Sequence, residues 1–225
     1  MKISVIGTGK TGSRVVEMLG DRLLDAFDES NPPSVEKLKK ADAVIIFVPG
    51  DAVPKLLEMV LASGTPAAWG STGFDWPADL NRKVQTMRTR WVLATNFSLG
   101  MNLIRKAIES MSAGADVLKQ PEFSIHEVHH IHKQDAPSGT AISWKEWLNK
   151  PAEITSERVG DVNGIHELII KTATEEITLK HDALDRSIFA EGAIWAAEQL
   201  VSNQHLSEGV HTFGELFDSV TKPTS

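Results

Sequence analysis

Apolar residues in the first hundred positions fall into short continuous runs separated by spaced patterns. Ile3–Ile6 and residues 43–48 (AVIIFV) are apolar at successive positions, as expected of strands covered on both faces in a parallel sheet. Residues 23–27, 67–69 and 91–94 read as further strands. Between them, residues 11–19 place Val15, Val16 and Leu19 on one helical face. Ser34 is suited to cap a short helix over 34–40, in which Glu36 and Lys40 stand at helical spacing, and 51–61 reads as another helix. Strands alternating with helices predict right-handed crossovers and a Rossmann-type, doubly wound α/β sheet.

The pattern changes after Gly100. Residues 102–113 read as a long helix, 123–130 as a strand and 139–148 as a helix. Three strand-like runs follow, at 154–159, 166–173 and 176–181, the last two close enough around Thr174-Glu175 for a hairpin. This predicts a second, α+β domain with a mixed or antiparallel sheet. Residues 187–204 again read as a strong helix, expected to pack on the first sheet. The expected division is therefore a discontinuous dinucleotide-binding domain, 1–98 with 186–225, around a second domain at 99–185.

Composition narrows the function classes. The 225 residues are 41% hydrophobic and 24% charged, with a net charge of −7, an ordinary globular balance. Without clustered Lys and Arg, a phosphate-gripping nucleic-acid surface is not expected. Cysteine is absent, which removes disulfides, thiolate metal sites and thiol nucleophiles. No apolar run approaches the ~18 residues of a membrane span, and MKISVIG enters a strand directly, so a cytoplasmic location is expected.

Gly7-Thr8-Gly9-Lys10-Thr11-Gly12 fits G-x-G-x-x-G between a strand and a helix. In that setting the glycines permit a tight turn, approach of a pyrophosphate and close helix–strand packing, while the helix start offers amides to phosphate. Asp28 ends the second strand, where an acid can hold ribose hydroxyls. Asp28-Glu29-Ser30-Asn31 carries no cation for a 2′-phosphate, which tips the balance to NADH; Lys10 and Arg14 keep NADPH open. Gly70-Ser-Thr-Gly-Phe74 and Asn96-Phe97-Ser98 follow strands, at the ends where open α/β sheets bind ligands.

HEVHHIHKQDAPSGT, from His126 to Thr140, holds four histidines, a lysine and a Ser-Gly-Thr. On a strand His129 and His130 point to opposite faces, and Lys133 would repel a divalent ion, so no metal site is expected. Histidine suits proton donation, lysine suits an anionic substrate, and Ser138 is a fit N-cap for a helix opening at Gly139 and Thr140. A helix start is a ready carboxylate site, so the stretch points to acid–base work on a small dicarboxylate.

The run Glu127-Val-His129-His130-Ile-His132-Lys133-Gln-Asp135-Ala136-Pro137-Ser138-Gly139-Thr140-Ala141 resembles the signature of the dihydrodipicolinate (4-hydroxy-tetrahydrodipicolinate) reductases of bacterial lysine biosynthesis. GSTGF at 70–74 is similar to that family's GTTGF, and NFSLG at 96–100 to its NFSxG; 177–181 with Arg186 and 189–193 resembles its late segment. The resemblance implies NAD(P)H-dependent reduction, with His129 the general acid and Lys133 holding substrate and developing charge. It implies His130, Ser138, Gly139 and Thr140 as carboxylate contacts, and Gly70, Thr72, Asn96 and Phe97 at the nicotinamide end. It also implies a homotetramer assembled through the second domain's sheet. Another NAD(P)-dependent amino-acid dehydrogenase would lack the His-His-x-x-Lys and Ser-Gly-Thr pairing. A dinucleotide sensor without catalysis would need no general acid.

Overall fold

The computed structural model describes residues 1–221. The chain divides into two compact units, one formed by Met1–Leu99 and the residues from Ser187 on, the other by Gly100–Arg186. In chain order, β1 (Ile3–Ile6), α1 (Lys10–Leu19), β2 (Leu23–Phe27), α2 (Val35–Leu38), β3 (Ala43–Ile46), α3 (Val53–Ser63), β4 (Ala67–Trp69), α4 (Leu80–Thr86) and β5 (Arg90–Leu93) open the first unit. Then come α5 (Leu99–Gly114), β6 (Glu122–His129), α6 (Gly139–Leu148), β7 (Glu153–Arg158), β8 (Ile165–Lys171) and β9 (Glu176–Asp182). Finally α7 (Ser187–Ser202), β10 (Gly209–Thr212) and α8 (Phe213–Thr221) complete the first unit. Among the described residues no helix is long and apolar enough to cross a membrane.

The first unit holds a six-stranded sheet in the order β10-β5-β4-β3-β1-β2, all neighbours parallel. Every residue of β1, β3 and β4 is buried, because helices cover both faces. On one face Val15 and Leu19 of α1, Ala193, Ala197 and Leu200 of α7 and Phe213 of α8 pack on Ile3, Val5 and Ile45. On the other, Leu38, Val53, Leu57, Val60 and Val84 from α2, α3 and α4 pack on Val44, Ile46, Trp69 and Trp91. Each fully buried side chain of this size contributes roughly 1.5–3 kcal/mol. The sheet runs outward in both directions from β1 and β3, so a switch point lies at their carboxyl ends.

The expected doubly wound sheet is present, and Ser34 caps α2 by accepting from the Lys37 amide at 3.3 Å. Three elements have no counterpart in the sequence reading. Only Leu80 and Val84 of α4 are buried, too few to print a helical period. Strand β10 is the four residues GVHT on the sheet edge beside β5. Helix α8 is amphipathic but short.

The second unit has a four-stranded mixed sheet, β7-β6-β8-β9, with β6 parallel to β7 and antiparallel to β8. Ile125, Leu168 and Ile170 face a core shared with Ile108 of α5 and with Trp144 and Leu148 of α6. The β8–β9 turn is closed by the Thr172 amide donating to the Glu175 carbonyl at 2.9 Å.

Helix α7 comes close to the segment after β5 at Gly192, where a β-carbon would lie 1.6 Å from the Phe97 carbonyl oxygen. Gly192→Ala should therefore force the helix off the sheet and cost at least about 1–3 kcal/mol, read as a lowered urea midpoint with an unchanged slope.

Candidate active site

The side-chain alternation of β6 places Ile125, Glu127 and His129 on the covered face of the second sheet. Ile125 joins the apolar core, whereas the next two positions are titratable and still buried, with Glu127 fully excluded from solvent. Strand register decides what surrounds them. Glu127 pairs with Ser156 of β7 and His166 of β8, His129 pairs with Arg158, and His166 pairs with His181 of β9. A polar row thus crosses the sheet beside its hydrophobic core.

Glu127 is the hub of that row. Its Oε1 accepts from the Ser138 amide at 3.0 Å and from Arg158 Nη2 at 3.1 Å. Its Oε2 lies 3.1 Å from His129 Nδ1 and 3.7 Å from His166 Nε2. Arg158 also donates to the Asp135 carbonyl at 2.5 Å, fastening β7 to the loop after β6. Burial alone would push the Glu127 carboxyl up, but hydrogen bonds from Ser138, Ser156 and Arg158 outweigh it and hold the group at about 2.

The two neighbouring histidines respond in the opposite sense. Burial lowers His129, opposed by the Glu127 charge and reinforced by Lys133 and Arg158. Burial lowers His166 further, to about 4, with help from His129. The His129 and His166 rings meet edge to face, 5.0 Å between centroids, and His166 also rests on Trp144. Glu127, His129 and His166 offer ligand atoms within 4.8 Å of one another. The guanidinium of Arg158 lies against the other oxygen of the same carboxylate.

The loop from His130 to Pro137 carries the other chemistry. Lys133 Nζ is held by Asp135 Oδ1 at 2.8 Å, and the Lys133 amide closes a turn on the His130 carbonyl. His130 lies just past the end of β6, half-buried and outside the Glu127 network, its ring 6.2 Å from that of His132. Ser138 is buried and turned inward. Its hydroxyl accepts from the Ala141 amide at 3.2 Å as the cap of α6, and lies 3.2 Å from His166 Nε2. With the Ser138 amide already on Glu127, what the helix start presents outward is Gly139, which is exposed, and the half-buried Thr140.

In the first unit the glycine turn joins β1 to α1 at the switch point. Gly7 has φ +90°, and a β-carbon there would sit 2.1 Å from the Phe47 carbonyl; at Gly12 it would sit 1.8 Å from the Gly7 carbonyl. These two glycines let strand, turn and helix touch. At Gly9 an added β-carbon would meet nothing, and Gly9 begins α1 with no side-chain cap. Open space beside uncapped amides is what a pyrophosphate requires, so these residues fit a dinucleotide. Lys10 and Thr11 form the first turn of α1. Thr8 Oγ1 donates to Asp28 Oδ2 at 3.3 Å, while Asp28 Oδ1 takes the Ser30 hydroxyl and the Ser30 and Asn31 amides. The Ser30 hydroxyl foremost, with these amides, holds the Asp28 carboxyl below its ordinary range.

Gly70 and Thr72 follow β4, and Asn96 and Phe97 follow β5. Gly70 is pressed on the Phe47 ring, where a β-carbon would be 2.2 Å away. Asn96 Oδ1 accepts from the Ser98 amide at 2.8 Å. The Phe97 ring is buried between Phe47 and Phe213, so only its main chain is available to a ligand.

Sequence reasoning assigned no role to Glu127, Arg158 or His166. Glu127 was detectable, standing two residues before His129 on the same strand face. Arg158 and His166 arrive from other strands, and only the register reveals them.

Residues 100–216 match the family described as dihydrodipicolinate reductase, C-terminus. A 4-hydroxy-tetrahydrodipicolinate reductase of Bdellovibrio bacteriovorus is 34% identical over 174 residues, covering 74% of this chain and 74% of that protein. A protein of the same name from Natronomonas pharaonis is 30% identical, covering 89% and 94%. Among solved structures, dipicolinate-bound dihydrodipicolinate reductase from Paenisporosarcina sp. TG-14 superposes with a TM-score of 0.75 at 19% identity, covering 94% of this chain and 97% of that one. At that identity the structural likeness concerns the fold.

The lowered pKa of His166 carries a stability signature. Unfolded, it protonates below its ordinary 6.5, whereas folded it stays neutral to about 4. Its contribution is complete above pH 6.5 and is lost on acidification through the window down to about 4, at about 1.4 kcal/mol per pH unit. Between pH 7 and pH 5, His166→Gln should lose about 2 kcal/mol less than the parent protein, measured by urea unfolding at each pH.

Proposed function

The chain belongs to the dihydrodipicolinate reductase family, and from that we propose that it reduces 4-hydroxy-tetrahydrodipicolinate to tetrahydrodipicolinate in diaminopimelate and lysine biosynthesis. The observation that carries this reading is the buried Glu127–His129 pair beside Lys133 and the start of α6. It offers a proton donor, a movable cation and amides suited to carboxylates within one stretch of chain. A silent dinucleotide sensor would have no use for an ionised carboxylate buried against a histidine, since such a burial is costly unless every partner is in place.

The first unit binds the nicotinamide dinucleotide and the second binds the dicarboxylate. Gly7, Gly9 and Gly12 shape the pyrophosphate turn, with Thr8, Lys10 and Thr11 around it and Asp28 on the ribose side. Gly70, Thr72, Asn96 and the main chain of Phe97 serve the nicotinamide end. When bound, the dinucleotide supplies the hydride. His129 supplies the proton; burial lowers its pKa, which makes the protonated ring a stronger acid, and the Glu127 charge opposes that lowering and supports the protonated form. Lys133 exchanges Asp135 for the substrate and holds charge as it develops. Gly139 and Thr140 receive a carboxylate at the α6 start, with His130 beside them and Ser138 holding the helix cap from within.

NADH is the favoured reductant, because Asp28 stands where a 2′-phosphate would otherwise be met by a cation. The second unit's sheet leaves a half-exposed face carrying His126, Val128 and Ile169, and a homotetramer assembled through that face is the proposed state. Light scattering should return four times the chain mass.

The purified protein should consume NADH, and NADPH less efficiently, on freshly prepared 4-hydroxy-tetrahydrodipicolinate; turnover with neither cofactor rejects the proposal. Lys133→Ala should lower kcat/KM by roughly 100-fold or more while leaving dinucleotide binding by fluorescence unchanged. His129→Gln should lower kcat by about 100- to 10,000-fold.

A further inference from the structure

We propose that Glu127 is the positioning residue of His129: its carboxylate fixes the proton on Nδ1, so that Nε2 is the nitrogen that exchanges the reaction proton. The inference rests on the reductase reading for the identity of that proton, and on geometry for the rest. Glu127 is fully buried and His129 nearly so. The 3.1 Å separation of Glu127 Oε2 and His129 Nδ1 is a charge contact, and neither atom has a hydrogen-bond partner among the described residues. At this separation a proton on Nδ1 makes the contact attractive, whereas a bare Nδ1 lone pair would face the carboxylate charge. On the opposite side of the ring Nε2 lies over Gly164, where a β-carbon would stand 3.0 Å away. Any side chain at 164 would press on Nε2, so glycine there keeps that contact free.

The same carboxylate reaches the substrate cradle. Glu127 Oε1 accepts the Ser138 amide, and Ser138 caps the helix whose first turn is Gly139 and Thr140. One buried group therefore orients the proton donor and anchors the anion site, and Arg158 keeps it ionised from the third side. The groups facing His129 are Glu127 on its own strand, Lys133 and Asp135 from the loop, Arg158 from β7 and His166 from β8. Of these, Glu127 and Asp135 favour the protonated ring, while Lys133 and Arg158 oppose it. Buried Glu127 is the stronger support, since Asp135 is exposed and already paired with Lys133. His166 stays neutral and serves as the ring's edge contact.

Glu127→Gln keeps the shape and an acceptor for Ser138 but removes the charge. A general acid must be protonated, so activity falls as pH rises through the His129 pKa, and loss of Glu127 moves that alkaline limb of kcat to lower pH. A shift of about one unit lowers kcat about tenfold on the alkaline side, with much of it recovered at lower pH. An unmoved limb overturns the proposal, whatever the height of the plateau. Should the variant fold poorly, nitrogen NMR of histidine-labelled wild-type protein provides the answer: neutral His129 should carry its proton on Nδ1, and a ring protonated on Nε2 sinks the idea. That spectrum needs no substrate. Inactivity of the wild type on both cofactors would remove the reductase reading and leave the tautomer result standing.

Discussion

The second unit is organised around a single costly act, the burial of an ionised carboxylate. An acid as deeply placed as Glu127 would ordinarily take up a proton. It stays charged because one backbone amide, one guanidinium and two serine hydroxyls are brought to it by three residues, Ser138 at the start of α6 and Ser156 and Arg158 on β7. Each is positioned by something else: the amide by the start of α6, the guanidinium by the parallel β6–β7 register, and Ser156 by the same register. The charge thus sets conditions on helix, loop and sheet together. A shift of β7 by one residue would turn Arg158 to the other face and leave the carboxylate unpaired.

The first unit solves a different problem, the approach of backbone to backbone. Gly7, Gly12, Gly70 and Gly192 all sit where a β-carbon would overlap a carbonyl or a ring. Phe47 or its carbonyl is the obstacle at two of them, and Phe97 at a third. The end of β3 and the segment after β5 are therefore packed against glycines of α7, of the β1–α1 turn and of the β4 end. Such packing keeps the carboxyl ends of the strands close together and leaves Gly9 as the opening.

Much of this could be read from the residues. Runs such as ISVI and AVII announce strands covered on both faces, and Ser138 announces a helix start, because these signals are local. Strand β10 and helix α4 were illegible for the complementary reason, that their placement comes from neighbours rather than from their own pattern. The site divides along the same line. His129, Lys133 and the Ser-Gly-Thr turn lie within a dozen residues and stand out as a group. Arg158 and His166 are ordinary residues of ordinary strands until pairing sets them beside Glu127. Ser138 shows a finer limit: its type foretold the cap, but its inward amide follows from the depth of the carboxylate it serves.

The order of synthesis gives the interrupted first unit a further meaning. Helix α7 supplies a large part of one covering layer and β10 one edge of the sheet, yet both follow the second unit in the chain. The ribosome delivers Gly100–Arg186 as an unbroken segment, complete before Ser187 emerges. Domains tend to fold as units while the chain grows, so the second unit can close first, while one face of β1, β3 and β4 waits with only α1 on it. The half-built first unit is thus the nascent species with apolar surface still to cover, and α7 is the element that covers it.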